Sequence, residues 1–156
     1  MNLETVKADF YATLKSVLDK NNHMTQLLEY ACIPAGKLFR PKLVYALASD
    51  LKTLENDHKM LASAIEIHNA YSLVHDDLPS MEDDDMRRGK PSLHKEFNEW
   101  KAILTGDALL GLSFELLTKM KSPNTLEIIK LFSQYTGKDG LIYGQYLDLS
   151  HANKSF

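Results

Sequence analysis

Apolar residues recur at helical spacing along nearly the whole chain, and only five prolines and seven glycines interrupt them. Leu3, Val6, Phe10, Leu14, Val17 and Leu18 make one stripe. Leu27, Leu28 and Tyr30 mark a second, shorter helix. Pro41 suits the start of a third, which runs through Leu43, Val44, Leu47 and Leu51, because a first turn does not need the missing N–H. Glu55 to about Leu78 reads as one long helix, and Pro79 should end or kink it. Another runs from Asn98 to about Lys119, with Gly106 and Gly111 at positions of possible close packing. Pro123 opens a sixth helix, and Lys138 to Ser150 suggests a seventh. No segment alternates convincingly with a period of two. The expected class is all-α, with helices apolar enough to pack as a bundle.

The 156 residues suffice for one domain with a sizeable core. A net charge of −3 leaves no basic footprint, so no nucleic-acid partner is expected. No apolar run approaches the ~20 residues of a membrane span. The N-terminus carries Glu4 and Asp9 rather than a basic-then-apolar signal pattern. Cys32 is the single cysteine, and no Cys/His metal spacing exists. The expected location is cytoplasmic.

Between positions 76 and 85 stand six carboxylates: Asp76, Asp77, Glu82, Asp83, Asp84 and Asp85. Arg87, Arg88 and Lys90 follow at once. Such a cluster repels itself unless cations neutralise it. Hard oxygen ligands suit Mg²⁺, which is held by one or two carboxylates plus substrate phosphates. The adjacent arginines suit phosphate oxygens through paired hydrogen bonds. Asp76 and Asp77 fall in the last turn of the long helix, the unfavourable end of its dipole for a negative charge. A bound cation would offset that placement, whereas a solvated acidic turn would not need it. An EF-hand fits poorly, since counting from Asp76 puts Met81 where that loop needs glycine. A second basic element, Gly36-Lys37-Leu38-Phe39-Arg40-Pro41, precedes a helix N-terminus, where free N–H groups could help Lys37 and Arg40 hold an anion.

Taken in order, these residues resemble the N-terminal half of the trans-polyprenyl diphosphate synthases of the farnesyl/geranyl type. Gly36-Lys37 with Arg40-Pro41 is similar to that family's GKxxRP motif. Asp76-Asp77 followed by Glu82 stands where its first aspartate-rich motif, DDx(4)D, belongs, and Arg87-Arg88-Gly89 follows. Thr105-Gly106-Asp107-Ala108-Leu109-Leu110 resembles its TGDALL stretch, and Gly144-Gln145 with Asp148 its GQxxD motif. The resemblance implies that residues 1–156 are part of a single isoprenoid synthase bundle, usually a homodimer. It implies Mg²⁺-dependent condensation of an allylic diphosphate with isopentenyl diphosphate. Asp76, Asp77 and Glu82 would bind Mg²⁺, with Asp83 able to substitute for Glu82. Arg87 would hold the allylic diphosphate, and Lys37, Arg40 and Arg88 the isopentenyl diphosphate. Asn69 stands in the slot of a family histidine and can still donate a hydrogen bond to diphosphate; Gln145 would face the allylic site.

Tyr71, five residues before the first aspartate, would help form the floor of the product cavity. Together with the Pro79-Ser80 insertion it favours a short, fifteen-carbon product. Leu38 stands where the family often has arginine, which removes one positive charge. No second aspartate-rich motif follows Asp148. The chain is therefore expected to be a fragment or a natural truncation, with little or no activity alone. A geranylgeranyl diphosphate synthase, or a non-catalytic helical partner or regulatory subunit that retains the motifs, are the competing readings.

Overall fold

The structure, a computed structural model, describes residues 3–53 and 55–152. It divides after Lys121 into two compact units. The first holds α1 (Leu3–Val17), α2 (Thr25–Cys32), α3 (Phe39–Leu51), α4 (Glu55–Asp76), a small hairpin of β1 (Met86–Arg87) and β2 (Lys90–Pro91), the single-turn α5 (Leu93–Glu96), and α6 (Glu99–Thr118). The second holds α7 (Thr125–Thr136) and α8 (Leu141–Ala152). The all-α expectation holds.

Helix α4 is the centre of the first unit. It packs along α6 and is covered on its other sides by α1, α2 and α3. Ala62, Ala64 and Ala70 keep its surface shallow, so neighbouring helices approach closely around the fully buried Ile67. Val6, Phe10 and Leu14 from α1 and Leu109, Leu116 and Leu117 from α6 complete the core. Burying each of these larger aliphatic side chains is worth roughly 1.5–3 kcal/mol. Asn98 caps α6, its side-chain oxygen accepting from the Lys101 N–H at 3.1 Å.

Two boundaries differ from expectation. The long helix ends at Asp76, two residues before Leu78, because the chain must already turn for the loop that follows. The last helix begins at Leu141 rather than Lys138, since Gly137 closes α7 and Gly140 completes a turn with it. The hairpin and α5 were not expected at all. In the second unit, α7 buries none of its residues, and Leu126, Leu131 and Tyr135 stand exposed; so do Tyr143, Tyr146 and Leu147 of α8.

Candidate metal and anion site

The acidic segment begins at the end of α4. Successive helical residues point about 100° apart, so Asp76 and Asp77 diverge. Asp77 is buried at 2% exposure, while Asp76 is only partly covered. The loop then folds back on the helix end. The Met81 and Asp83 N–H groups donate to the Leu78 carbonyl at 2.8 and 3.1 Å, and the Glu82 N–H donates to the Asp76 carbonyl at 2.9 Å. Asp83 takes the left-handed conformation that this return requires, at φ 53°, which aspartate tolerates.

The fold thus brings Glu82 beside Asp76. Burial first, then Glu82 and Asp77, push the Asp76 carboxyl up to about 6, against opposing pulls from Arg87 and His75. That excess of negative charge on oxygen donors suits a hard divalent cation. Asp76, Asp77 and Glu82 share a neighbourhood without converging on a point. Among the described residues, the trio whose ligand atoms all lie within 4.8 Å is Asp83, Asp85 and His94, where Lys95 already pairs with Asp85 at 2.7 Å.

The hairpin sorts the cations. Arg87 pairs with Lys90 across the two strands, and the turn between them consists of Arg88 and Gly89 at φ 54° and 79°. Two left-handed residues make the turn whose twist matches the strands. Glycine adopts that conformation freely; for Arg88 it costs roughly 1–2 kcal/mol. Arg87 donates from Nε and Nη2 to Asp77, and from Nη2 to Asp84 at 2.8 Å. Arg88 turns the other way. Its Nη1 donates to the Pro34 carbonyl and its Nη2 to Glu66 Oε1, each at 3.3 Å. A methyl group on Gly36 would touch the Arg88 guanidinium at 3.4 Å, so glycine leaves the space that the arginine uses. The Lys90 ammonium anchors the hairpin to the carbonyls of Tyr30 and Ile33 and lies 3.7 Å above the Tyr30 ring.

The structure therefore places the Gly36-Lys37 loop directly against Arg88. Lys37 and Arg40 are exposed, and among the described residues neither forms an ion pair. Leu38 holds φ 51°, which leucine seldom adopts, and its burial at 2% exposure accounts for an apolar side chain there. Burial raises the Glu66 carboxyl above its ordinary value, while Arg88 and then Arg40 pull it back. Glu66 was missed in the sequence. Its signal was an acidic residue set among the core-facing Ala62, Ile67 and Ala70.

On the neighbouring face of α4, Tyr71 is buried between two imidazoles, edge-on to His68 at 4.9 Å and to His75 at 5.2 Å. The His68 Nδ1 meets the Ser113 hydroxyl at 3.1 Å. The His75 ring rests over Gly106, where any added Cβ would overlap it, and its Nε2 donates to the Ile103 carbonyl at 3.0 Å. Asn69 lies on α4, seven residues before Asp76. Gln145 belongs to α8, in the second unit, where it lines an open groove with Gly144 and Asp148.

Residues 21–156 match the family described as Polyprenyl synthetase. The farnesyl diphosphate synthase of Haemophilus influenzae is 41% identical over 146 residues, covering 92% of this chain and 50% of that protein. That of Micrococcus luteus is 37% identical over 158 residues, covering 97% and 54%. The apo crystal structure of an FPP/GFPP synthase from Zymomonas mobilis superimposes with a TM-score of 0.89 at 37% identity, over 98% of this chain and 58% of the other. The chain spans about half the length of the relatives it matches.

Proposed function

The chain belongs to the polyprenyl synthetase family, and from that premise we propose that it carries the N-terminal half of a prenyltransferase site of the farnesyl diphosphate synthase type. One observation carries the reading. A single hairpin delivers Arg87 to the carboxylates at the end of α4 and Arg88 to the Gly36-Lys37 loop. Two charged sites of opposite character are thereby built side by side, one suited to a metal-bound diphosphate and one to a second diphosphate.

Asp76, Asp77 and Glu82 would hold Mg²⁺, and the charge crowding at Asp76 fits that role. The bound metal supplies charge neutralisation for the leaving diphosphate. Arg87 keeps Nη1 clear of its carboxylate contacts and so can donate to the allylic diphosphate without leaving Asp77. Lys37, Arg40, Arg88 and Asn69 would fix isopentenyl diphosphate. The carbon–oxygen bond of the allylic substrate breaks, the isopentenyl double bond supplies the electron pair for the new carbon–carbon bond, and the departing diphosphate takes the proton that is lost. The allylic cation needs surroundings that exclude water. Tyr71, wedged between His68 and His75, is a rigid candidate for the floor that limits product length. The exposed apolar side chains of α7 and α8 support assembly as a homodimer, and a cytoplasmic location suits such an enzyme.

The test is condensation of geranyl and isopentenyl diphosphates with Mg²⁺, with product length read by chromatography. The 156-residue chain alone should give little or no product. Addition of the complementary half of a relative should restore a fifteen-carbon product, and Asp76→Ala should abolish that restoration. Robust turnover by the chain alone would refute the half-site reading. A twenty-carbon product would favour a geranylgeranyl synthase, and no restoration at all would favour a non-catalytic partner subunit.

A further inference from the structure

We propose that Glu66 is a positioning residue, whose carboxylate presets Arg88 to receive an anion beside the Gly36-Lys37 loop. The inference rests on reading that arginine as a diphosphate ligand. It assigns a role to a buried acidic residue that the reaction itself does not use.

Glu66 lies on the core helix α4, and its side chain is 5% exposed against 17% for Arg88. Packing alone does not call for a carboxylate there, because an apolar side chain of similar volume would fill the space without the cost of burying a charge. The cost is offset by the arginines. Glu66 Oε1 accepts from Arg88 Nη2 at 3.3 Å, and its carboxyl feels Arg40 as well. Two hydrogen bonds then hold the Arg88 guanidinium, to Glu66 and to the Pro34 carbonyl, and the space that a side chain at Gly36 would fill stays open for it. The left-handed turn adds a further restraint by fixing where the side chain starts. A long side chain restrained in this way loses little further freedom when an anion binds.

Charge and position give opposite expectations. A carboxylate near two guanidinium groups lowers the positive field that an anion feels, so charge alone predicts that Glu66 weakens binding. Positioning predicts that it strengthens binding, through its hydrogen-bond acceptor.

Calorimetric titration of the 156-residue chain with inorganic pyrophosphate, without added metal, separates the two. The wild type should bind, and Arg88→Ala should remove most of that binding. Glu66→Gln keeps an acceptor at Oε1 and should stay within about threefold of the wild type or bind more tightly. Glu66→Ala should lose about tenfold among folded molecules, judged by helical circular dichroism. Glu66→Asp, which keeps the charge but withdraws it by one methylene, should also lose affinity and serves if the alanine variant does not fold. Aspartate or alanine variants that bind as tightly as the wild type would overturn the role of Glu66 while leaving the anion site standing. A glutamine variant as weak as alanine would overturn positioning by hydrogen bond. A wild type that binds no pyrophosphate, or an Arg88→Ala variant that binds it unchanged, would overturn the anion site and the inference together.

Discussion

Arg87 and Arg88 are adjacent in the chain, yet they serve different neighbourhoods. Arg87 sits in β1 and is held by Asp77 and by Asp84, two members of the acidic segment itself. Arg88 sits in the turn, at a backbone angle that a side chain seldom adopts, and is held by Glu66 and Pro34, which lie far away in sequence. Glu66 lies within α4 and Asp77 just past its C-terminal end, eleven residues on, which at helical rise is about 16 Å along the axis. The hairpin therefore grips α4 at two points with two consecutive side chains. Local carboxylates restrain the first arginine, and tertiary structure restrains the second. The block of like charges that reads as one basic patch in the sequence is divided between two sites.

The most damaging way to break this comparison is Arg87→Ala, which leaves Asp77 buried at 3% side-chain exposure without its main partner. The expected loss is about 3 kcal/mol in urea unfolding. Asp77→Asn in the same background should recover part of that loss, because a neutral amide needs no countercharge. Equal stability of the single and double variants would show that Arg87 does not compensate Asp77.

Arg88→Ala should cost less, about 2 kcal/mol near neutral pH, and should differ in kind. Burial already raises the Glu66 carboxyl, and the variant removes the largest opposing pull. A carboxyl raised in the fold is destabilising when ionised. The penalty is therefore full above the folded pKa and fades as pH falls toward the ordinary carboxylate range. Thermal melts should show a smaller gap to the wild type at about pH 5 than at about pH 8. A gap that widens on acidification would contradict the burial of Glu66.

The smallest effect should be a gain. Asp76 is raised to about 6 by burial and by like charges, so Asp76→Asn relieves repulsion in metal-free protein. Because solvent screens part of the field, the gain is set at about 1 kcal/mol at pH 7.5, shrinking as pH falls below about 6 and lost only below about pH 4, where the unfolded carboxyl is protonated as well. Added Mg²⁺ should reverse the order by stabilising only the wild type, and differential scanning fluorimetry would read both effects. A variant less stable than the wild type without metal would argue against charge crowding at this position.

Much of the helical frame was legible because apolar spacing and proline positions are local signals. The apolar stripe placed α6 between Asn98 and about Lys119, within a residue of either end, although the cap at Asn98 was not read. The hairpin was not legible, because its strands are two residues long and cannot show alternation. Its turn also carries arginine where asparagine or aspartate would announce it. Of the candidate site, the motif order named the segments but not their pairing. That Asp77 turns inward to Arg87 while Asp76 stays partly covered depends on where α4 ends. Glu66 stayed hidden because the arginine that justifies it lies 22 residues downstream.

The contact between His75 and Gly106 bears on mechanics rather than charge. The ring occupies a notch that exists only because residue 106 lacks a side chain, and it is pinned there by the Ile103 carbonyl. A slide of α4 along α6 by a single residue, about 1.5 Å, would drive the imidazole out of the notch and against neighbouring side chains. The pair acts as a detent that sets the axial register of the two helices one residue away from Asp76. Positions 75 and 106 are accordingly free to vary only together, and a smaller residue at 75 is the change that would first let 106 accept a side chain.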